Sequence, residues 1–370
     1  MSDRYDVAVV GGGLVGASIA FGLRALGPRL VVIDGAGAAR PASRANFGLV
    51  WVQGKGEDAP AYAAWTLAAA RAWPRLAAEL RQATGQDVAM RQAGGVHVCL
   101  SREAFDARAA LVERMRARGD EARVEMLDRE ALLARVPGLG ADVVGGSFCA
   151  DDGDCNPLRL LRALDAALAA AGVARRGSTR VEAIEPMADG FRVVTASGAI
   201  EAVRVVLAAG LDTARLAPMI DLDVPVRANK GHVIALGRVA PLLPLPLSTL
   251  RQTDEGAVLV GDSWEDRADD AVDSAVLGAI ARRAIRIVPA LAAARVVRAW
   301  AGSRVLTPDG VPVYAASPVH PGAFAVACHS GVTLAAVHAF TLAPALLEGQ
   351  LPATLAPFGT ARFANVRAAA

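Results

Sequence analysis

Three glycines near the start of the chain have the spacing of a phosphate-binding turn. Gly11, Gly13 and Gly16 form the pattern G-x-G-x-x-G, with Leu14 and Val15 in between. Such glycines permit a tight turn, let the backbone approach a pyrophosphate, and allow the next helix to pack closely with its N-terminus toward the phosphates. A glycine-rich turn that binds no ligand is the alternative interpretation.

An acidic residue stands where a ribose would need an acceptor. Asp34, followed by Gly35, comes 18 residues after Gly16, at the end of the next apolar run. A carboxylate at this spacing accepts hydrogen bonds from ribose hydroxyls. Together with the glycines, it predicts a dinucleotide site.

The elements that must position these residues form one β-α-β unit. The sequence predicts a buried strand over 6–10, a helix over 14–27 and a second strand over 29–34. Residues 178–210 then predict several short strands that end in Ala209 and Gly210. A nicotinamide enzyme of this type would continue with regularly alternating strands and helices, so FAD is favoured over NAD.

Further elements are predicted between and after these segments. The hydrophobic patterns indicate helices over 61–83, 102–135 and 156–172, a hairpin over 88–100, a mixture of strands and one helix over 225–300, and a last strand over 323–328. A turn and a helix from about Gly331 follow this strand.

This order of elements predicts an α/β fold with two interleaved domains. One is a Rossmann-type FAD-binding domain, over 1–85, 140–222 and 300–370. The other is an α+β substrate domain on a mixed or antiparallel sheet, over 86–139 and 223–299. In the second domain Lys230, His232, Arg251 and Trp264 could do chemistry, and no pattern ranks them.

Charge and cysteine content exclude several classes of protein. The 39 basic and 37 acidic residues leave a net charge of +2, without the block of like charge that nucleic-acid binding needs. The four cysteines show no C-x-x-C spacing, which predicts reduced thiols and neither a disulfide framework nor a metal site. The start "MSDRYD" lacks the basic patch of a signal peptide, so a cytoplasmic protein is expected.

Residues 310–347 contain no Asp, Glu, Lys or Arg, a length that raises the possibility of a membrane span. Prolines and glycines interrupt the segment, and stretches of different period alternate along it. A buried strand, a turn and a buried helix are therefore the preferred interpretation.

Five segments, in order from the first strand to the last helix, resemble a known family. They are "VAVVGGGLVG", "DDGDCNPLRLLRAL", "VVLAAG", "RAWAGSRVLTPDGVPV" and "ACHSGVTLAA". The chain resembles the D-amino-acid oxidase/glycine oxidase superfamily of FAD-dependent amine oxidoreductases over most of its length. One loop, "ANFGLVWVQGKG", is similar to the flavoprotein subunits of bacterial opine and D-hydroxyproline dehydrogenases.

The resemblance implies site residues in the second half of the chain. Arg304, in "WAGSRVLTPDG", matches the family's substrate-carboxylate anchor, and Gly302 lies in the same segment. A planar guanidinium can hold both carboxylate oxygens, whereas a surface ion-pair arginine is the alternative. Val181 matches a position whose backbone meets the adenine, with an ordinary strand valine as the alternative.

The segment before the last helix matches the family's turn at the flavin. The resemblance implies that Ser330, Gly331, Val332 and Thr333 present backbone N–H groups and a helix N-terminus to the flavin N1–C2=O edge. Cys328 replaces the usual glycine here. His329 is a catalytic candidate, with a role in positioning the backbone as the alternative.

The loop after the second strand is implied to run past the flavin ring. Arg44, Ala45, Asn46, Phe47 and Gly48 stand in that position. Lys55 in the same loop is a further catalytic candidate, because a cation near the flavin would help electron transfer to oxygen. The alternative is that the glycines beside it simply turn the chain.

The resemblance implies oxidation of a C–N bond next to a carboxylate by hydride transfer to flavin N5, on an amino acid or N-substituted amino acid of the D-amino acid, glycine, opine or imino acid type. FAD would be bound non-covalently, since Gly302 and Ser303 stand where the sarcosine oxidase branch carries its attachment cysteine. A 2-hydroxy-acid dehydrogenase and a flavin-bearing subunit of a larger dehydrogenase are the alternatives. Oxygen or a partner redox subunit would take the electrons, and both homo- and hetero-oligomers are open.

Overall fold

The computed structural model describes residues 4–35, 41–269 and 271–364. Its strands are, in chain order, β1 (Arg4–Val10), β2 (Leu30–Asp34), β3 (Leu49–Val50), β4 (Gly95–Cys99), β5 (Val124–Asp128), β6 (Gly145–Cys149), β7 (Gly153–Asp154), β8 (Ala174–Gly177), β9 (Val181–Met187), β10 (Gly190–Thr195), β11 (Gly198–Leu207), β12 (Arg227–Arg238), β13 (Leu250–Gln252), β14 (Ala257–Val260), β15 (Val296–Leu306), β16 (Val313–Ala316) and β17 (Ala323–Ala327).

The helices alternate with these strands only in part. They are α1 (Leu14–Arg24), α2 (Pro41–Arg44), α3 (Pro60–Thr84), α4 (Arg102–Ala117), α5 (Arg129–Arg135), α6 (Pro157–Ala170), α7 (Thr213–Leu216), α8 (Ser274–Ile287), α9 (Ala335–Val337) and α10 (Ala343–Glu348). A π-helical turn, His338–Leu342, joins α9 to α10, and short 3-10 turns lie at Gly210–Asp212, Ala217–Ile220, Pro289–Ala293, Ala353–Phe358 and Thr360–Phe363.

The largest sheet carries the predicted β-α-β unit at its centre. Its strand order is β16-β17-β11-β1-β2-β8, and β9 and β10 extend it as hairpins from β11. The pairs of β1 with β2 and β11, of β2 with β8 and of β11 with β17 are parallel. The carboxyl ends of β1, β2, β11 and β17 therefore meet at one edge, where open α/β sheets bind ligands.

Two antiparallel sheets form the second part of the fold. Four strands pair in the order β13-β14-β12-β15, and three in the order β4-β6-β5. Strands β12 and β15 align Gly231 with Gly302 and Asn229 with Arg304. One hydrophobic core cluster joins the two sheets, and both α8 and β12 contribute residues to it.

The main sheet is buried between apolar layers. Helix α1 packs against α6 and against the segment that runs from α9 to α10. A Cβ atom at Gly22 would lie 1.9 Å from the carbonyl oxygen of Ala339, so only glycine allows this approach. The fully buried Trp73 of α3 donates from its indole N–H to the carbonyl oxygens of Val332 and Thr333. Trp73 thus holds the turn before α9, and α1 packs directly against the helical segment that follows this turn.

The α/β fold class predicted from the sequence is confirmed. The strand, helix and strand at the start, the short strands of 178–210, and the helix capped by Asn156 all form as predicted. The hairpin predicted over 88–100 is wrong, because β4 pairs with β6 instead of a preceding neighbour. The helical prediction over 102–135 is wrong at 124–128, where β5 adds the other edge of the same sheet.

The domain boundaries stay a prediction, and two elements bear on them. Strand β6 lies in the predicted FAD-binding range but pairs with β4 and β5 of the other range. Strand β15 begins before residue 300 and continues past it.

Residues 310–347 form β16, β17, a turn and the helical segment that starts at α9. This agrees with the preferred interpretation of a strand, a turn and a helix. Of the helices in the described part of the chain, none combines the length and the hydropathy that a membrane span requires. Cys99, Cys149, Cys155 and Cys328 are buried free thiols.

Candidate active site

A cavity of about 800 Å³ lies where the carboxyl ends of β1, β2, β11 and β17 face strands β12 and β15. This volume is within the range of small-molecule and cofactor sites. One end of the cavity is lined by the glycine turn and Asp34, and the other by Lys55, Asp262, Trp264 and Arg304.

The glycine turn leaves no room for side chains. Gly11 has a φ of +108°, and a Cβ atom there would lie 2.2 Å from the carbonyl oxygen of Ala208. A Cβ atom at Gly16 would lie 1.9 Å from the carbonyl oxygen of Gly11, so Gly16 lets α1 pack onto the turn and does not line the cavity. The N–H of Gly13, at the start of α1, has no acceptor in the described ranges.

Two side chains hold this turn in place. Asp34 is buried and accepts a 2.7 Å hydrogen bond from the N–H of Gly12. Ser43 of α2, which no sequence motif marks, accepts from the N–H of Leu14 at 2.9 Å. The predicted ribose acceptor Asp34 thus also braces the turn, and the Ser43 hydroxyl lies at the helix N-terminus that a phosphate would face.

The predicted adenine-side residues line the same end of the cavity. Val181 is buried on β9, and its carbonyl oxygen accepts from Nη2 of Arg215 at 2.7 Å. Gly210 follows β11 with a φ of +62°. Arg180 and Asp212, which also line the cavity, form an ion pair at 3.2 Å.

The loop over 44–50 reaches the cavity with Ala45, Asn46, Phe47 and Leu49. The side-chain oxygen Oδ1 of Asn46 accepts a hydrogen bond from the N–H of Gly48. Arg44 is exposed and outside the lining. Gly48 lies outside it too, because its φ of +93° brings it against the carbonyl oxygen of Cys155, which a Cβ atom would approach to 2.4 Å.

A buried polar cluster fixes the next stretch, 51–56. Asp152 accepts from the N–H of Val52 and, at 2.7 Å, from the side-chain amide of Gln53. Arg108 and Ser147 donate to the side-chain oxygen Oε1 of Gln53 at 2.7 and 2.6 Å. Burial raises the pKa of Asp152 to about 7, since desolvation outweighs these hydrogen bonds.

A second buried cluster anchors Phe47. The Asp154 carboxylate pairs with Arg91 at 3.0 Å and with Arg251 at 3.1 Å, and Arg251 donates to the carbonyl oxygen of Phe47. Short strands β3 and β7 pair beside it. The segment "DDGDCNP" therefore serves as the scaffold of the loop, a role that only these contacts reveal.

Arg304 enters the cavity from β15. Its Nη1 donates to Oδ1 of Asn229 at 3.0 Å and to the carbonyl oxygens of Lys230 and Ser263 at 3.2 and 2.8 Å. Its Nη2 lies 3.4 Å from Oδ2 of Asp262. Desolvation lowers the pKa of Arg304, with a partial offset from Asp262, and the group stays cationic.

Three residues that surround Arg304 are Gly231, Asp262 and Trp264. No sequence pattern ranked Trp264, and no signal marked the other two. The guanidinium lies against Gly231, where a Cβ atom would be 2.3 Å from Nη2. Trp264 faces the guanidinium at 4.6 Å from its ring centroid and donates to Asp262 at 3.1 Å. These residues come from β12 and from the segment after β14, so no local motif marks them.

The other polar residues left unranked lie in buried networks. Lys230 pairs with Asp269, and His232 contacts Ser263 and Glu265. Arg251 belongs to the Asp154 cluster. All three act as supports for the segments that line the cavity.

Lys55 lines the cavity near Arg304. Its pKa is lowered to about 8, first by desolvation and then by the charge of Arg304, while Cys328 and Asp262 oppose the shift. At neutral pH the ammonium group is still mostly protonated. The structure therefore places the three charged groups Lys55, Arg304 and Asp262 in one end of the cavity.

The turn after β17 lines the middle of the cavity. The helix predicted from about Gly331 begins at Ala335, and a turn at 331–334 precedes it. The N–H groups of Gly331, Val332 and Thr333 have no acceptor in the part of the chain that the structure describes. Ser330 is held by the Tyr62 hydroxyl at 2.8 Å.

His329 and Cys328 complete this turn. Desolvation, Lys55 and Arg304 lower the pKa of His329 well below its usual value, so the imidazole is neutral at physiological pH. Its ring lies 5.6 Å from that of Trp264. Burial raises the pKa of Cys328 to about 12, so the thiol is protonated.

The structure brings most of the predicted site residues together in this cavity. The predicted residues that line it are Gly11, Gly13, Leu14, Val15, Asp34, Gly35, Ala45, Asn46, Phe47, Lys55, Val181, Ala209, Gly210, Gly302, Arg304, His329, Ser330, Gly331, Val332 and Thr333. Gly16, Arg44 and Gly48 do not line it, and the individual roles of all these residues stay predictions.

The residues present fit a bound FAD. The glycine turn is a cradle that any Cβ atom would fill, and the N–H of Gly13 at the start of α1 has no acceptor among the described residues. The turn after β17 adds three N–H groups at the same cavity, which likewise have no acceptor in the described ranges. Buried donors of this kind need acceptors, which phosphate and flavin oxygens supply.

Comparisons with known proteins agree with this site. Residues 6–344 match the DAO family, described as FAD dependent oxidoreductase. The chain is 45% identical over 363 residues to one of the subunits of opine oxidase from Rhizobium meliloti, with 97% of this chain and 98% of the relative covered. It is 28% identical over 371 residues to glycine oxidase of Geobacillus kaustophilus, with 98% of both covered.

A solved structure extends the agreement to the fold. The crystal structure of glycine oxidase from Geobacillus kaustophilus matches with a TM-score of 0.90 at 28% identity, over 96% of this chain and 98% of that one. The family match covers most of the chain and includes both ends of the cavity. The chain therefore belongs to the DAO family of FAD-dependent oxidoreductases, and it is an enzyme with FAD as its cofactor.

Proposed function

We propose that this enzyme oxidises the C–N bond next to the carboxylate of an N-substituted amino acid. The observation that carries the proposal is the position of Arg304, a cation held rigidly in the cavity beside a carboxylate and an indole. Similarity to an opine oxidase and to a glycine oxidase supports an amino-acid-like substrate.

Arg304 would bind the substrate carboxylate and fix its rotation. Three acceptors hold Nη1, so the plane of the guanidinium is set before the substrate arrives. Among the residues that the structure describes, Nη2 has only the longer contact to Asp262, which leaves this side of the guanidinium available to an anion. Paired charge-assisted hydrogen bonds from guanidinium to carboxylate combine affinity with orientation.

The neighbouring groups would place the amine. Asp262 attracts a cationic amine to the space next to Arg304, and the Trp264 indole N–H holds that carboxylate in place. His329 is neutral and lies beside Trp264, where it adds no charge that would repel the amine. FAD, when bound, would supply the oxidant by accepting a hydride at flavin N5 from the neutral amine, after the ammonium has released its proton to water.

We also propose that the chain works as the flavin-bearing component of a larger enzyme. The name of the relative that is 45% identical describes it as one subunit of its enzyme. Electrons would then leave through a partner redox subunit, with oxygen as the alternative acceptor. Mixing the amine-reduced protein with air tests this, because reoxidation far slower than reduction requires another acceptor, and fast reoxidation assigns oxygen.

The substrate proposal is tested on the purified protein with its flavin. Anaerobic bleaching of the flavin absorbance is recorded with a panel of amino acids, N-substituted amino acids and 2-hydroxy acids. We expect bleaching by N-substituted amino acids and, in Arg304→Met, a loss of about 100-fold or more in kcat/KM.

Arg298→Met is the matched control, since Arg298 is an exposed arginine on the same strand. It should keep wild-type kinetics. Bleaching by hydroxy acids alone would instead assign 2-hydroxy-acid oxidation. Unchanged amine turnover in Arg304→Met would remove Arg304 as the anchor.

A further inference from the structure

The cavity contains a second cation, Lys55, that the anchoring of one carboxylate does not use. Among the described residues, the Lys55 ammonium group has neither an ion pair nor a hydrogen-bond partner. The chain's only other lysine, Lys230, is 1% exposed and pairs with Asp269. The contrast matters because a partly desolvated charge without a partner is unfavourable unless a ligand compensates it.

The backbone of Lys55 is fixed from both sides. Gly54 and Gly56 have φ values of +81° and +69°, and Cβ atoms there would lie 2.9 Å from Nη1 of Arg108 and 2.4 Å from the backbone nitrogen of Ala63. The N–H of Lys55 itself bonds the carbonyl oxygen of Val52. This packing presents the side chain to the cavity from a rigid loop.

The charges that face Lys55 are those of the amine end of the cavity. Arg304 comes from β15, Asp262 from the segment after β14, and Cys328 from the end of β17. The fourth group, Asp152, lies behind the loop. Its carboxyl group accepts hydrogen bonds from the N–H of Val52 and the side-chain amide of Gln53. The cavity end thus presents two cations, Arg304 and Lys55, and one carboxylate, Asp262, which also lies 3.7 Å from Arg283.

We propose that Lys55 binds a second substrate carboxylate, so that the substrate is a secondary amine with a carboxylate on each of its two N-substituents. This inference rests on the proposed oxidation of an N-substituted amino acid. Arg304 and Lys55 each take one carboxylate, and Asp262 faces the ammonium between them. The charge pattern of the site, two positive and one negative, is the complement of that of the ligand.

The test compares two unreactive ether analogues that differ by one carboxylate. Diglycolate has an oxygen in place of the amine and two carboxylates, whereas methoxyacetate has only one. Both are titrated into the FAD-bound protein, and binding is followed by the shift of the flavin absorbance and by calorimetry. We expect diglycolate to bind about 10- to 100-fold more tightly, the worth of one charge-assisted contact.

Variants assign the preference to Lys55. In Lys55→Met the diglycolate preference should collapse to about twofold or less, and in Lys55→Arg most of it should remain. Arg304→Met is the comparison, because it should weaken both analogues. Lys55→Gln replaces Lys55→Met if the apolar variant does not retain FAD.

The wild-type protein provides a second readout without any mutation. The preference for diglycolate should fall, toward tenfold per pH unit, as pH rises from about 7 to about 9 and Lys55 loses its proton. Arg304 stays charged in this range and Cys328 and His329 stay neutral, whereas Asp152, with its pKa of about 7, passes from half ionised to ionised in the lower part of it.

A preference that is unchanged in Lys55→Met, or constant across this pH range, would overturn the proposal. If Lys55→Met instead slows only the reoxidation of reduced flavin by oxygen, Lys55 assists electron transfer to oxygen and binds no carboxylate. If the analogues behave as expected but no carboxylated amine bleaches the flavin, the carboxylate site stands and the proposed oxidation fails.

Discussion

The two ends of the cavity differ in the groups that shape them, which are backbone groups at one end and side chains at the other. At the nucleotide end, the shape comes from backbone: the glycine turn before α1, the ends of β2 and β11, and free N–H groups. At the amine end, the shape comes from the side chains of Lys55, Asp262, Trp264 and Arg304, which three separate segments contribute.

The two ends also differ in how they are held. Close packing of glycines onto carbonyl oxygens fixes the nucleotide end. Buried polar clusters around Asp152 and Asp154, together with the acceptors of Arg304, fix the amine end. The backbone-built end can serve many related enzymes, because the same cofactor binds in each, whereas exchange of a few side chains changes what the other end accepts.

The largest effect is expected at the nucleotide end. Gly11→Ala adds a Cβ atom 2.2 Å from the carbonyl oxygen of Ala208 at a φ of +108°. The displaced turn should lower FAD affinity by about 100-fold or more, because positive-φ strain of about 1–3 kcal/mol adds to the clash. The ratio of flavin to protein absorbance measures this directly.

Gly27→Ala is the matched control for that change. Gly27 also has a positive φ, +88°, but a Cβ atom there has open space around it. It should cost some stability and retain FAD. Equal flavin loss in both variants would mean that strain, and not the shape of the turn, decides FAD binding.

The next effect is expected at the amine end, from a glycine of the cavity lining that packs against Arg304. Gly231→Ala puts a Cβ atom 2.3 Å from Nη2 of Arg304 and should displace the guanidinium. We expect kcat/KM for the amine to fall by about 100-fold, while the flavin content stays normal.

Gly237→Ala on the same strand provides the control. A Cβ atom there would meet its neighbours at 3.7 Å, an ordinary contact, so steady-state kinetics should match the wild type. Loss of FAD in Gly231→Ala would show that the two ends are coupled more tightly than their separate construction suggests.

A smaller effect is expected from the scaffold behind Lys55. In Asp152→Asn an amide N–H would face either the Val52 N–H or the Gln53 amide, both of which are donors. The free energy of unfolding should fall by about 1–3 kcal/mol, and amine turnover only severalfold. Asp151→Asn, at the neighbouring partly exposed position, should change neither.

The pH dependence of stability tests the same group. The pKa of Asp152 is raised from 3.8 to about 7, so between these values the native state holds a proton that the unfolded state has lost. The free energy of unfolding should therefore decrease as pH rises through this window, and that part of the slope should be missing in Asp152→Asn. Chemical denaturation at a series of pH values measures both slopes.

The smallest effect on FAD binding is expected from Val181→Ala. The side chain is buried in the core, so stability should fall by about 1–3 kcal/mol. FAD affinity should change by no more than about threefold, because the proposed contact is made by the backbone. Flavin loss as large as in Gly11→Ala would show that the nucleotide end depends on side chains as well.

Local sequence signals were enough to predict the nucleotide end of the cavity. The glycine pattern, the apolar strands on either side and Asp34 lie within one β-α-β unit, so their spacing along the chain fixes their spacing in space. The hairpin predicted over 88–100 is wrong for the opposite reason. Strand β4 pairs with β6, which lies far along the chain, and no local sequence pattern indicates such a pairing.

The sequence by itself predicted the β-α-β unit and the dinucleotide turn, it showed Lys55 as one of only two lysines, and its resemblance to a family indicated Arg304. Only the tertiary structure decided that Arg304 lies against Gly231, that Asp262 and Trp264 face it, and that Lys55 reaches the same cavity without a partner in the described ranges. The physical reason is that backbone geometry follows from neighbouring residues, whereas side-chain charges meet only where packing brings distant segments together.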